Sequence, residues 1–352
     1  MIMLLDKNTL AFLEIVRAGL WEKDARLEQY GKIDFEDIYQ LAGEQSVVGL
    51  VTAGFEHIQD VKVPQEIVLQ CIGESLQLEQ TNKAMNQFIE KLVGEMRKAD
   101  IYTLLVKGQG VAQCYEKPFW RASGDVDLLL SDSNYSKARD FLLPLSTDNK
   151  PDERYSKHLG MNIDQWYVEI HGTLRTGLSG KIDKEVDAVQ KDVFLGGQVR
   201  SWLNGKTQII MPSADNDVFF VFTHFIKHFY KEGMNLRQIC DWCRLLWTYK
   251  DSLNHELLEK RIRKAGLMSE WKAFAALAVD YLGLPEEAIP LYDSRFKVKG
   301  SRVLKHILKG EPYSKMRDTW EIAKIFPWNT LKFLPAIFFN VNWLKVKERL
   351  FL

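Results

Sequence analysis

Arg121-Ala-Ser-Gly-Asp-Val-Asp-Leu-Leu-Leu130 is the stretch on which the reading of this chain turns. Its second half is a short apolar run that reads as a strand entering a core. Strand side chains alternate, so Asp125 and Asp127 fall on one face while Val126 and Leu128 fall on the other. Two carboxylates about 6–7 Å apart along a strand repel each other and destabilise the fold unless a cation sits with them. An isolated Asp-x-Asp also occurs as a solvated pair. Here it follows Gly124 and an upstream strand–glycine–helix turn, Ile101-Tyr-Thr-Leu-Leu-Val106 followed by Lys107-Gly108, and that context favours a site. Oxygen-only ligands suit a hard divalent cation, Mg²⁺ or Mn²⁺.

A third carboxylate is at hand. Trp166-Tyr-Val-Glu-Ile-His171 alternates, with Glu169 and His171 on one face and Val168 and Ile170 on the other. Beside the Asp125–Asp127 strand, Glu169 completes a cluster of three acids; away from it, Glu169 is an edge acid paired with an arginine. Three acids with two metals is the chemistry of phosphoryl and nucleotidyl transfer.

These segments resemble the signature of the polymerase-β-type nucleotidyltransferase superfamily: a glycine turn opening a helix, Asp-x-Asp on the next strand, a third acid on a later strand. Leu105-Val-Lys-Gly108, Arg121-x-x-Gly-Asp-Val-Asp127, Val168-Glu-Ile-His171 and Leu236-Arg-Gln-Ile-Cys-Asp241 are similar to the bacterial family of uncharacterised nucleotidyltransferases, over roughly residues 10 to 300. The resemblance implies an α+β fold with a small mixed-sheet nucleotidyltransferase core, Mg²⁺- or Mn²⁺-dependent use of an NTP such as ATP, and transfer to a hydroxyl of a small molecule or protein. Asp125, Asp127 and Glu169 would be catalytic and metal-binding; Lys107, Gly108, Gly110 and Gly124 would serve the nucleotide. The sequence departs from the pattern at the turn, where Gln109 stands in place of the usual serine or glycine. Lys107 and free N–H groups at Gly110 would then substitute at the phosphates. Arg121 would reach a phosphate or form a structural ion pair. Arg237 would line the nucleotide pocket or pair with Asp241 four residues on. A catalytically inactive nucleotide-binding protein on the same fold and an RNA 3′-end nucleotidyltransferase are the alternatives.

Away from these motifs the chain reads as helical. Leu10, Leu13, Val16 and Leu20 recur at helical spacing, as do Ile72, Leu76, Leu78, Met85, Phe88, Ile89, Leu92, Val93 and Met96. Beyond Gln208-Ile-Ile-Met211, a weak strand, helices return from Ser213 onward. The expected division is 1–100 helical, 101–212 core, 213–352 helical. The 352 residues are 46% apolar and 27% charged, with 47 basic against 47 acidic side chains. That composition is globular, and zero net charge argues against a broad grip on nucleic acid. Four scattered cysteines fit a reducing, cytoplasmic setting. Cys240-Asp-Trp-Cys243 reads as two helix-face thiols, and His224 and His228 as neutral histidines beside the cleft. The segment 1–6 lacks a basic stretch and reads as no signal peptide. The apolar run 333–341 is too short to cross a bilayer. The aromatic and basic tail from Trp328 onward, with Lys332, Lys345, Lys347 and Arg349, is expected to dock on its own domain rather than on a membrane surface.

Overall fold

A computed structural model describes residues 5–149, 157–310 and 312–339. The chain begins with helices α1 (Lys7–Trp21), α2 (Phe35–Glu44), α3 (Val48–Phe55) and the long α4 (Gln65–Lys98). The mixed region follows: β1 (Thr103–Val106), α5 (Gly108–Ala112), β2 (Asp125–Leu130), α6 (Asp132–Leu142), β3 (Ser146–Asn149), β4 (His158–Ile163), β5 (Trp166–His171), α7 (Gly180–Phe194), β6 (Val199–Asn204) and β7 (Thr207–Pro212). Helices then close the chain: α8 (Ala214–Lys231), α9 (Leu236–Tyr249), α10 (His255–Ala265), α11 (Met268–Asp280), α12 (Lys297–Ile307), α13 (Lys315–Ile325) and α14 (Pro327–Phe339). The expected α+β architecture, with helices on either side of a mixed sheet, is the one observed.

The sheet runs β1-β2-β5-β4-β3. Only β2 and β5 are parallel neighbours; the other pairs in this sheet are antiparallel. Strands β6 and β7 form a separate hairpin. The two faces of the main sheet bury different things. Leu105, Val126, Leu128, Leu130, Val168, Ile170, Leu159 and Met161 form one apolar layer with Met85, Ile89, Leu92, Val93 and Met96 of α4 and with Tyr135, Ala138 and Leu142 of α6. Leu104, Val106 and Leu129 point the other way and join the large helical core. That core contains side chains from α1 and α3 as well as α8, α9 and α11, so the helices before and after the strands share one hydrophobic cluster.

Helix α8 shows why the helical core is dense. Phe222 and Phe225 on its inner face meet Trp242, and both also meet Phe274. Each such ring withdrawn from water contributes about 1.5–3 kcal/mol. Helix α4 belongs to both cores: Ile67 and Cys71 at its start join the helical cluster, and Met85 to Met96 the sheet layer. Ile72 and Leu76, part of the helical periodicity, are exposed.

Cys240 and Cys243 are buried, unbridged thiols in α9, as their spacing on a helix implied. Among the described residues no helix is long and apolar enough to cross a membrane. α14 buries Phe333, Ala336 and Ile337 and leaves Trp328 and Phe339 exposed. Residues 340–352, the rest of the tail expected to dock, lie outside the described residues, as do residues 1–4.

Helices α1 and α3 cross so closely that glycine is required. A Cβ on Gly19 would lie 2.0 Å from the Leu50 carbonyl oxygen, whereas one on the exposed Gly73 of α4 would meet nothing within 4 Å. Gly73→Ala should therefore stabilise the fold by about 0.5–1 kcal/mol through helix propensity. Gly19→Ala should destabilise it by about 1–3 kcal/mol through overpacking. Urea denaturation measures both, and a Gly19→Ala midpoint at or above wild type would disprove the close crossing.

Candidate active site

Parallel pairing of β2 with β5 sets Asp127 opposite Glu169 and Asp125 opposite Tyr167. Burial of Val126, Leu128, Val168 and Ile170 on the opposite face leaves the acids no other direction. One carboxylate oxygen each from Asp125, Asp127 and Glu169 lie within 4.8 Å of one another. The structure thus brings the three expected acids together.

Asp127 is the innermost, 1% exposed. Its Oδ1 lies 2.8 Å from Lys107 Nζ and 2.8 Å from His171 Nε2. Among the described residues its buried Oδ2 has no hydrogen-bond partner. Burial opposes its ionisation, yet the Lys107 ammonium and the His171 hydrogen bond hold its carboxyl well below the ordinary range. Glu169 is likewise held low against burial, chiefly by a hydrogen bond with His158. Asp125 goes the other way, raised by burial and by the charge of Asp127. Three carboxylates therefore share the neighbourhood of one ammonium, and a buried carboxylate oxygen still lacks a partner. The residues present fit a divalent cation.

Lys107 sits in a left-handed conformation, φ 58°, directly before Gly108 at φ 42°. A non-glycine residue there is strained, and the turn aims the ammonium at Asp127. Lys107 Nζ also lies 3.4 Å from His224 Nε2, which is 2.9 Å from His228 Nε2; His228 Nδ1 in turn is 2.8 Å from Glu232. Burial keeps His224 neutral, its pKa well below the ordinary histidine value. His224 thus reaches the acids through Lys107, His228 lies one step further out, and among the described residues the two join no metal-holding group.

Two of the expected nucleotide contacts, Gly110 and Arg121, are engaged within the protein. The Gly110 N–H is spent on the Lys107 carbonyl at 3.0 Å. Gly110 is needed for packing instead, since a Cβ there would lie 2.8 Å from Met211 Sδ. Arg121 binds Asp241 through two parallel bonds of 2.7 Å, from Nε and Nη2, and Nη1 donates to the Ala122 carbonyl. Each of its three nitrogens thus donates to a protein acceptor, and the side chain is buried. Tyr115 also donates to Asp241, at 2.8 Å. With Asp241 so occupied, Arg237 is held only loosely, at 3.6 Å; its Nε is buried without a hydrogen-bond partner, and Asp125 lies within its electrostatic reach. Beside Gly124 a Cβ would meet nothing within 4 Å, so the approach to Asp125 is open there.

Two parts of the site escaped sequence reasoning. Asn82 of α4 donates to the carbonyls of Phe119 and Arg121 and accepts from Gln109 and Ser123. Gln109 thus ties the glycine turn to α4, and Asn82 ties the loop before β2 to the same helix. His158, on the unexpected strand β4, stands in register with His171. Leu159, Met161 and Ile163 alternate inward along β4, the signal that would have revealed it.

A family model described as "Uncharacterised nucleotidyltransferase" matches residues 31–283, a span that contains every residue of this site. None of the curated proteins matches the chain. A crystal structure of an antigenic nucleotidyltransferase-like protein from Paracoccidioides brasiliensis aligns with 63% of this chain and 97% of its own, at 10% identity and a TM-score of 0.34. So weak a likeness carries no argument.

The buried Arg121–Asp241 pair generates its own test. Arg121→Ala strands a buried carboxylate and should cost about 3–5 kcal/mol of stability. The double variant Arg121→Met, Asp241→Leu removes both charges and should recover most of that loss. Chemical denaturation of the three proteins decides it; an Arg121→Ala protein as stable as wild type would free Arg121 for substrate.

Proposed function

The chain belongs to the uncharacterised nucleotidyltransferase family, and on that premise we propose that it transfers a nucleoside monophosphate from an NTP to a hydroxyl, releasing pyrophosphate. One observation carries the reading: Asp125, Asp127 and Glu169 converge on one sheet face, with a buried oxygen of Asp127 unpartnered among the described residues. These three residues would hold Mg²⁺ or Mn²⁺. Bound there, the cation supplies positive charge to the triphosphate and acidifies the attacking hydroxyl.

The chain's own groups divide the remaining work. Glu169, ionised at neutral pH, takes the proton of the acceptor hydroxyl. The new bond joins that oxygen to the α-phosphorus as the bond to the β-phosphate oxygen breaks. Arg237, with donors to spare, and Lys107 face the triphosphate and offset the charge of the departing pyrophosphate. Gly108 lets the turn bend close to the phosphates. Gly124 leaves the approach to Asp125 unobstructed. The acceptor hydroxyl belongs to a small molecule or a protein side chain. A binding-only role on the same fold is favoured by one fact, the Lys107 ammonium resting on Asp127.

Calorimetry and label transfer separate these readings. The double variant Asp125→Asn, Asp127→Asn should stay folded and lose metal–NTP binding. Glu169→Gln should bind metal–NTP nearly normally and lose transfer of label from α-³²P-NTP by orders of magnitude, the signature of an interaction made in the transition state. Lys107→Ala should weaken NTP binding by about 1–3 kcal/mol, the range for a charge-assisted hydrogen bond. Wild-type transfer by Glu169→Gln would remove Glu169 from the mechanism. Metal–NTP binding by wild type without any label transfer would favour the binding-only role.

A further inference from the structure

Glu169 belongs to two groups of potential ligands. One is the acid group just described. The other is His158, Glu169 and His171, whose donor atoms also lie within 4.8 Å of one another. The two imidazole rings stack across β4 and β5, centroids 4.8 Å apart and planes 23° from parallel. Both Nε2 atoms approach the same oxygen, Glu169 Oε2, at 3.1 Å for His158 and 3.5 Å for His171. The register produces this convergence. His158 pairs with His171, and Gly160, which has no side chain, pairs with Glu169. β4 therefore sends no side chain between the rings and the carboxylate, and the space over Gly160 is taken by the Tyr167 hydroxyl.

The two donor sets differ in chemistry. Three carboxylates present oxygen alone, the environment of Mg²⁺. Two imidazoles and a carboxylate present two nitrogens and an oxygen. Mg²⁺ is hard and keeps its water in preference to nitrogen ligands, whereas imidazole suits first-row transition ions. A carboxylate has two oxygens and can serve a cation on either side. In two-cation transferases such ions stand about 3.5–4 Å apart.

We propose that His158, Glu169 and His171 form a second cation site, specific for a divalent transition-metal ion, which shares Glu169 with the acid site. The inference rests on the reading that Asp125, Asp127 and Glu169 hold a divalent cation, and adds to it that the neighbouring position discriminates against Mg²⁺. The competing role for the imidazoles is to hydrogen-bond and orient the acids, as His171 does with Asp127 at 2.8 Å.

The test uses the full chain without nucleotide, Mn²⁺ and Mg²⁺ separately as probes, and calorimetry with electron paramagnetic resonance as readouts. Wild type should bind two Mn²⁺ but one Mg²⁺, and the bound Mn²⁺ pair should show the exchange-broadened spectrum of adjacent ions. His158→Ala should bind one Mn²⁺ with the spectrum of an isolated ion and leave Mg²⁺ binding unchanged. His158→Gln, which keeps a hydrogen-bond donor of similar reach, should behave like His158→Ala; circular dichroism checks that both fold. Asp125→Asn, Asp127→Asn should lose Mg²⁺ and keep one Mn²⁺. Equal stoichiometry for the two ions in wild type, or two Mn²⁺ retained by both His158 variants, would overturn the second site while sparing the first. Absence of binding by either ion in wild type would overturn both.

Discussion

The apolar layer on one face of the sheet is the constraint that gathers like charges on the other. The apolar layer against α4 and α6 takes Val126, Leu128, Val168 and Ile170. Period-two alternation then forces Asp125, Asp127 and Glu169 to the other face, and parallel pairing of β2 with β5 sets Asp127 against Glu169. A slip of one residue would drive carboxylates into an apolar layer, so the register is fixed by the core and not by the acids. The acids' proximity is a strain that the hydrophobic layer imposes. Lys107 and His171 offset part of it, both at the same oxygen of Asp127.

The surroundings of the acids are built to keep that arrangement rigid. The loop leading into β2 has no hydrogen-bonded ladder of its own. Asn82 holds it from α4 through the Phe119 and Arg121 carbonyls, and the Arg121 side chain holds it from α9 through Asp241. Because α4 packs in both hydrophobic clusters and α9 in the larger, the loop is suspended between elements that cannot shift independently. A buried ion pair adds little net stability over apolar packing. Its contribution here is position: it fixes the residue four before Asp125.

What the sequence made legible was local. The Asp-x-Asp strand, the Trp166–His171 strand and the helical periodicities rest on spacings within a few residues, and β5 has the expected bounds. The placement of Glu169 beside Asp127 needed only the further step of adjacency. The misses are of two kinds. Strand β4 is hidden in the sequence because Gly160 and Asn162, polar or small, stand on the site-facing side and pass for turn residues, although Leu159, Met161 and Ile163 alternate between them. With it went His158. The other misses are contacts between distant parts of the chain. Asp241 has Arg237 at helical spacing, yet Arg121, 120 residues away in sequence, takes both its oxygens, because a planar guanidinium bonded twice outcompetes a single longer contact. Nothing local to Gln109 shows that its amide turns back to Asn82, or to Gly110 that its missing side chain makes room for Met211.

These long-range contacts change the meaning of the Gly108-Gln109 turn. A serine in that place would face the phosphates. Gln109 faces α4 instead, so the turn offers the phosphates no side chain except Lys107. The Lys107 ammonium serves Asp127 in the structure, and one ammonium cannot also serve a triphosphate at full strength. Electrostatics reconciles the two demands. On the proposed reading, divalent charge held by the carboxylates would weaken the pull of Asp127 on Lys107 and leave the ammonium for the triphosphate. On the proposed reading, the departure from serine is therefore not a loss of phosphate recognition. It moves that recognition onto a residue that neutralises the acids before the substrate arrives.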